Sequence, residues 1–366
     1  MLSAVVRHDS GARARHFRPA LLASAVILIA APLCAQTALP PVSVGAGMQT
    51  SAFSNTPDGG DTTSNFALNS VRLYVSGEAT KNVKFMFNTE YDGGSNHVGV
   101  LDAAAQFVLS DKVNIWAGRF LPPSDRANMY GPYYSHHFKV YTDGVQDGYP
   151  SVGTPGPTGR DNGVMYWGQF DKIKVSGGVF DGLSATGKTN ILSAGRVQVD
   201  FWDPEGGYYL NGTYYGGKNL LSVGVAGQVQ DGNGAYNGDF LLEKKLSDKG
   251  SFFSIEAELA KYDKLGGYDS HNYQTNTGGY VLGSYMFPPM MGLTGNFEVL
   301  GKFAKANFTN PVIVGEPDYD QKTTEVNFNY VISEFKARIM VFFLNTSYSA
   351  VKTSFKQFGV GVQLQM

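Results

Sequence analysis

The chain has 366 residues, a formal net charge of −2 and 16% charged residues. Mild acidity without a basic tract argues against nucleic acid as a partner. The single cysteine, Cys34, falls in the stretch read below as a leader, so the remainder has no disulfide, thiol nucleophile or cysteine metal site.

Residues 1–35 read as a cleaved secretory signal peptide. Arg7, Arg13, Arg15 and Arg18 make a basic start. Ala20 to Leu33 is an apolar run too short to span a bilayer as a helix, and Ala35 is a small residue before a cut at Gln36. Residues 36–366 then form one domain. No linker-like change of composition interrupts them, and no apolar run of about eighteen residues marks a transmembrane helix.

From there the recurring signal is alternation with a period of two. In Val71 to Ala79, Val71, Leu73 and Val75 oppose Arg72, Tyr74, Ser76 and Glu78. In Asn82 to Tyr91, Val83, Phe85, Phe87 and Tyr91 oppose Lys84, Met86, Asn88 and Glu90. Val113 to Phe120 and Asn162 to Phe170 are strand-like runs. Between them, residues 122–161 form a long stretch rich in Pro, Gly, Tyr and charge with no regular period, and a loop of that length normally has a function. Further on, Val197, Val199 and Phe201 oppose Arg196, Gln198 and Asp200. At the end, Phe358, Val360, Val362 and Leu364 oppose Gln357, Gly359, Gly361 and Gln363.

Short connections such as Ser110-Asp111-Lys112 and Asp171 alternate with longer polar ones, among them Asn55 to Ser64, Asp263 to Asn276 and Lys305 to Asp320. That alternation, strands of about ten residues and a secretory leader fit an all-β transmembrane antiparallel barrel. Both chain ends of such a barrel lie on one side, so the strand number must be even. Reading residues 204–218 as an elaborated periplasmic connection rather than a strand gives about sixteen. The long loop after the fifth strand is expected to fold inward. Aromatic residues at presumed strand ends, including Phe120, Phe201-Trp202, Phe252-Phe253, Tyr262, Tyr285 to Phe287 and Phe342-Phe343, are expected in interfacial girdles.

No catalytic set emerges: G-x-S-x-G, H-E-x-x-H, G-x-x-x-x-G-K-[ST] and G-x-G-x-x-G are all absent. His136 and His137 are adjacent and point apart on an extended chain, so they read as solvated loop histidines rather than a metal pair. Asp231-Gly232-Asn233-Gly234 reads as a tight turn, not a calcium loop. No metal or cofactor is expected. What remains is charge on the polar faces. Arg72, Lys84, Glu90, Arg196, Asp200, Lys336 and Arg338 are pore-lining candidates, and Asp125 and especially Arg126 are constriction candidates. Arg119 shares parity with Val113 and Ile115, which places it at a strand end or after a bulge.

The blocks Gly118 to Tyr134 (GRFLPPSDRANMYGPYY), Asp102 to Phe120, Gly195 to Tyr209 and Val71 to Tyr91 resemble outer-membrane porins of the phosphate-selective porin O and P group. The resemblance implies a sixteen-stranded barrel, usually a homotrimer, with an inward loop, set among outer-membrane lipid and lipopolysaccharide. Two departures stand out. The lumen candidates carry both signs rather than an arginine ladder, so phosphate specificity does not carry over. The chain also finishes on Met366 instead of Phe. The expectation is passive passage of small hydrophilic solutes and ions through a hydrated lumen. The alternatives are a substrate-selective channel for phosphate-like anions or dicarboxylates, and a non-conducting surface β protein for adhesion or glycan binding.

Overall fold

A computed structural model describes residues 41–139, 159–182, 191–248, 250–266 and 272–366. The leader reading and residues 140–158 of the long loop, with Asp143 and Asp147, fall outside these residues. The described residues form sixteen strands. In chain order they are Val42–Pro57 (β1), Thr63–Thr80 (β2), Val83–Asp92 (β3), His97–Ser110 (β4), Val113–Phe120 (β5), Asp161–Phe170 (β6), Ile173–Phe180 (β7) and Leu192–Asp200 (β8), followed by Leu220–Gln230 (β9), Asn233–Lys245 (β10), Phe252–Asp263 (β11), Tyr273–Met286 (β12), Asn296–Pro311 (β13), Tyr319–Ser333 (β14), Ala337–Tyr348 (β15) and Phe355–Gln365 (β16). Each pairs antiparallel with its chain neighbours, and β1 closes on β16, so the sheet is a closed barrel.

Direction reverses at every strand. Connections after odd-numbered strands therefore gather at one end of the barrel. Those after even-numbered strands gather at the other, where β1 begins and β16 ends. Residues 201–219, between β8 and β9, carry no strand, which resolves the parity as expected. Asp231 and Gly232 join β9 to β10 with φ of 54° and 79°, the two-residue hairpin turn that the sequence signalled.

The strands are sorted by face. On β9, Leu220, Ser222, Ala226, Gln228 and Gln230 are buried, while Val223, Val225 and Val229 are exposed. On β14, Gln321, Thr323, Glu325, Asn327 and Asn329 are buried and Phe328 is 60% exposed. Arg196, Gln198 and Asp200 are buried on β8 beside exposed Val197. The buried face of a closed barrel is its inside, so this chain hides charge and displays valine, leucine and phenylalanine. In water that arrangement would be strongly unfavourable. Against hydrocarbon it is the stable one, because the apolar exterior meets lipid and the ionic groups meet each other.

The structure corrects several expectations. Strands extend beyond the apolar band, so Asn55, Ser64 and Lys305 belong to strands and not to loops. Outside a hydrocarbon layer a strand no longer needs an apolar face, and its ends read as polar loop. Phe120, Phe252, Tyr262 and Phe342 point inward and are buried, whereas Phe201, Trp202 and Phe287 are exposed as a girdle requires. The interior is also not uniformly polar. Trp116, Phe120, Met165, Phe180 and Leu192 from β5–β8 pack with Leu121, Met129, Tyr208 and Leu210 into one apolar cluster. Arg119 sits at the end of β5, in regular register opposite Ala103, and donates Nε to the Val100 carbonyl at 3.2 Å.

Candidate functional site

The connection after β5 opens with Leu121-Pro122-Pro123, where the two prolines remove backbone donors and end the ladder. Asp125 then caps a single helical turn, Arg126–Tyr130 (α1), by accepting from the Asn128 amide at 2.9 Å. Burial pushes the Asp125 carboxyl up to about 6, although the bonds from Asn128 act the other way. Gly131 follows with φ of 61°, a conformation that a side chain would strain, and turns the chain into the 3-10 segment Pro132–Tyr134.

Residues 130–139 are fastened to the buried faces of strands along the arc that runs from β11 through β16 to β1 and β2. Tyr130 donates its hydroxyl to Glu256 of β11 at 2.8 Å. The Tyr133 hydroxyl lies 3.0 Å from the Ser70 hydroxyl of β2, and Gln49 of β1 donates to the Pro132 carbonyl at 3.1 Å. Arg338 of β15 donates to the Ser135 carbonyl at 2.6 Å and to Gln363 of β16 at 2.7 Å. His136 reaches Glu298 of β13 at 2.9 Å and Ser254 of β11 at 3.1 Å, and Asn329 of β14 donates to its carbonyl. His137 lies 3.5 Å from Glu325 of β14. The wall is notched where the rings seat: a Cβ on Gly47 would lie 2.6 Å from Tyr133, and one on Gly361 would lie 2.5 Å from Phe138.

The second irregular connection, 201–219, meets this segment. Tyr208 donates to the Leu121 carbonyl at 2.7 Å, and the Gly212 amide donates to the Tyr134 carbonyl at 2.8 Å. Glu205 forms a bidentate pair with Arg126, Nη1 to Oε1 at 3.0 Å and Nη2 to Oε2. Both side chains are fully buried. Burial alone would push the Glu205 carboxyl up; the Arg126 guanidinium outweighs that and holds it at about 2. Arg196 of β8 forms its own bidentate pair with Asp239 of β10, at 2.5 and 2.8 Å, and Asp239 lies 3.6 Å from the Arg126 Nε. Gln198 links Asp200 and Glu205 at 2.9 and 2.7 Å, and Asp200 also accepts from Ser222.

The structure thus brings Arg126, Asp125, Arg196 and Asp200 into one region. Arg72 and Glu90 stand apart from it as a pair, 2.8 Å between Nε and Oε1, with Tyr133 under the guanidinium. Arg338 is buried and occupied with the loop backbone. Lys84 pairs with Glu78 at 2.5 Å beside the short β2–β3 turn, with its side chain 37% exposed, so it belongs to the barrel end. Lys336 is a correction. It lies in the β14–β15 turn, ahead of the strand, and is exposed, so strand parity does not apply to it. His136 and His137, expected to be solvated, are instead buried anchors to different strands. Glu205 and Asp239 were missed. For Glu205 the available signal was the connection itself, PEGGYYLNGTYYGGK, which is too long and too aromatic for a simple hairpin turn; Asp239 lies on β10, outside it.

No family model matches the chain, and no curated protein matches it. Solved structures do. OprB of Pseudomonas putida is 10% identical with a TM-score of 0.61, covering 89% of this chain and 94% of its own. An anion-selective porin from Comamonas acidovorans is 13% identical with a TM-score of 0.55, covering 90% of this chain and 100% of its own. The outer-membrane protein OmpT of Vibrio cholerae, in a trimer form, is 12% identical with a TM-score of 0.52, covering 89% of this chain and 99% of its own. The fold is the sixteen-stranded barrel of outer-membrane porins.

Proposed function

We propose that the chain is a porin of a Gram-negative-type outer membrane. It passes small hydrophilic solutes and ions by diffusion, without covalent chemistry. In this reading residues 121–139 fold into the lumen from one end, residues 201–219 enter from the other, and the two narrow the passage where Arg126 meets Glu205. The observation that carries it is the sorting of faces, with charge inside and valine, leucine and phenylalanine outside. The likeness of fold to porins adds support.

Charge pairing bears on selectivity. Arg126 and Arg196 are matched by Glu205 and Asp239, Arg72 by Glu90, and Arg160 by Asp102 at 3.4 Å. Matched pairs leave no free cluster of guanidinium groups, and Glu243, Glu256 and Glu258 are buried on β10 and β11 besides, so we infer no phosphate or dicarboxylate filter and do not extend the porin O and P resemblance to phosphate. A homotrimer surrounded by outer-membrane lipid and lipopolysaccharide completes the proposal, by analogy with the trimer form described for OmpT. The test is planar-bilayer recording with the purified protein. Conductance steps of uniform size are expected. A folded barrel that inserts and gives no steps is a surface protein and not a porin.

A further inference from the structure

Between α1, the 201–219 connection and the wall formed by β2–β4 lies a half-open cavity of about 370 Å³. That volume falls in the roughly 300–1,000 Å³ range of small-molecule sites. Its wall is shaped by a β-bulge. Asn88 pairs with Asp102 and Thr89 with Val100, so Leu101 is an extra residue. Leu101 and Asp102 are in consequence both buried, although they are consecutive, and both line the cavity.

The charges of this cavity are already spoken for. Arg72 is paired with Glu90. Asp102 receives Arg160, the Asn88 amide at 2.9 Å and the Tyr209 hydroxyl at 3.2 Å. Two other polar atoms in the lining are different. Asn128 is 2% exposed, and its Nδ2 donates to Asp125 at 2.6 Å, which turns Oδ1 the other way. That Oδ1 is buried and has no hydrogen-bond partner among the described residues; the Tyr74 hydroxyl is buried beside the Arg72 guanidinium, which donates toward it, and has no acceptor for its own proton among the described residues. Next to them stand the apolar side chains of Met86, Leu101 and Met129.

We propose that this cavity is a binding site for an uncharged, hydroxyl-rich solute: a saccharide of one or two rings. Hydroxyls of such a solute satisfy the Asn128 oxygen and the Tyr74 hydroxyl, and its C–H face packs on Met86, Leu101 and Met129. An anion finds each guanidinium holding a carboxylate. A purely apolar solute leaves the buried oxygen and the hydroxyl proton unpaired, which disfavours it. The assignment deepens the porin reading and takes its route of access from it.

Equilibrium dialysis of labelled sucrose against the folded, detergent-solubilised barrel reads the site without any conductance, and sucrose-induced loss of each channel's own open current reads it in a bilayer. Saturable retention is expected, displaced by glucose and not by phosphate. Tyr74→Phe, which keeps the ring, the Arg72–Glu90 pair and all protein contacts except the approach of the hydroxyl to Arg72, weakens sucrose roughly two- to tenfold, the scale of one hydrogen bond. Tyr74→Ala weakens it further. Migration on a gel before and after heating verifies that each variant is a folded barrel. The assignment is overturned by no sucrose retention in the folded protein, by retention unchanged in Tyr74→Ala, or by displacement with phosphate. Conducting channels without sucrose retention defeat the site and leave the pore. Sucrose retention without conductance does the reverse.

Discussion

Arg126 and Glu205 form a fully buried bidentate pair, although one belongs to the connection after β5 and the other to the connection after β8. The parity of those strand numbers puts the two connections at opposite ends of the barrel, so the pair joins segments that approach each other along the axis. A guanidinium so enclosed needs a carboxylate within reach, because burying a lone charge is far more costly than burying a pair. The pair therefore ties the two connections together and, in the proposed pore, cancels the charge that either alone would place in the passage.

Glu205→Gln separates these roles. Arg126 then keeps Asp239 at 3.6 Å but loses its bidentate partner. The variant is expected to lose about 3 kcal/mol or more against urea. In a salt gradient its reversal potential shifts toward anions, and Arg126→Gln shifts it toward cations. Variants that leave the reversal potential where the parent has it place the pair away from the ion path.

Much of the fold was legible, and the reason is physical. Alternation on β2, β3, β8 and β16 survives because one face must be apolar along a strand's whole membrane depth, and Arg72, Glu90, Arg196 and Asp200 take the opposite face. Alternation is blind elsewhere. Trp116 and Phe120 alternate as well as any lipid-facing residue, yet they point inward to pack on Tyr208 and Leu121. Glu205 was marked only by the unusual length of its connection and not as a pairing residue, since an irregular connection has no period and its partner lies 79 positions away. Lys336 failed through a boundary, because one residue decides whether a side chain is on a wall or in a turn.

His136 gives a pH dependence. Burial pushes its imidazole down, but Glu298 beside it outweighs that, and the net shift is upward. The groups around it are Glu298 from β13, Ser254 from β11 and Asn329 from β14, with Glu243 and Glu256 acting at longer range. A raised folded pKa contributes stability that is complete below the unfolded value of about 6.5 and is lost as pH rises through the folded value. The barrel is thus expected to resist thermal unfolding best on the acid side of that window and to weaken above it. His136→Gln flattens the profile there. A parent profile without an alkaline decline removes His136 as a charged anchor.

The glycine notches make a steric prediction. Replacing Gly361 with valine drives a side chain into the Phe138 ring, whose nearest atom is 2.5 Å from the ideal Cβ position. Residues 130–139 are held at many other points, so the loop is expected to shift locally and not to detach. The cost expected is about 1–3 kcal/mol, as for an overpacked core. Single-channel current noise rises as the displaced loop samples more than one position. Quiet channels and parental stability together mean that Phe138 seats elsewhere.

The orientation of the faces is tested most directly at Val225, the midpoint of β9 and 55% exposed. If hydrocarbon covers that position, Val225→Arg places a charge near mid-depth and costs about 2–4 kcal/mol in a phospholipid bilayer, against an effect near zero for arginine at a strand end. If water covers it, a half-exposed arginine on a strand costs little. Urea titration of the parent, Val225→Arg and Val229→Arg, all in the same lipid, decides between the two, because Val229 lies on the same face one residue from the end of β9 and supplies the shallow control. A Val225→Arg barrel as stable as Val229→Arg means that the exposed valines and phenylalanines do not face lipid, and the transport reading falls with them.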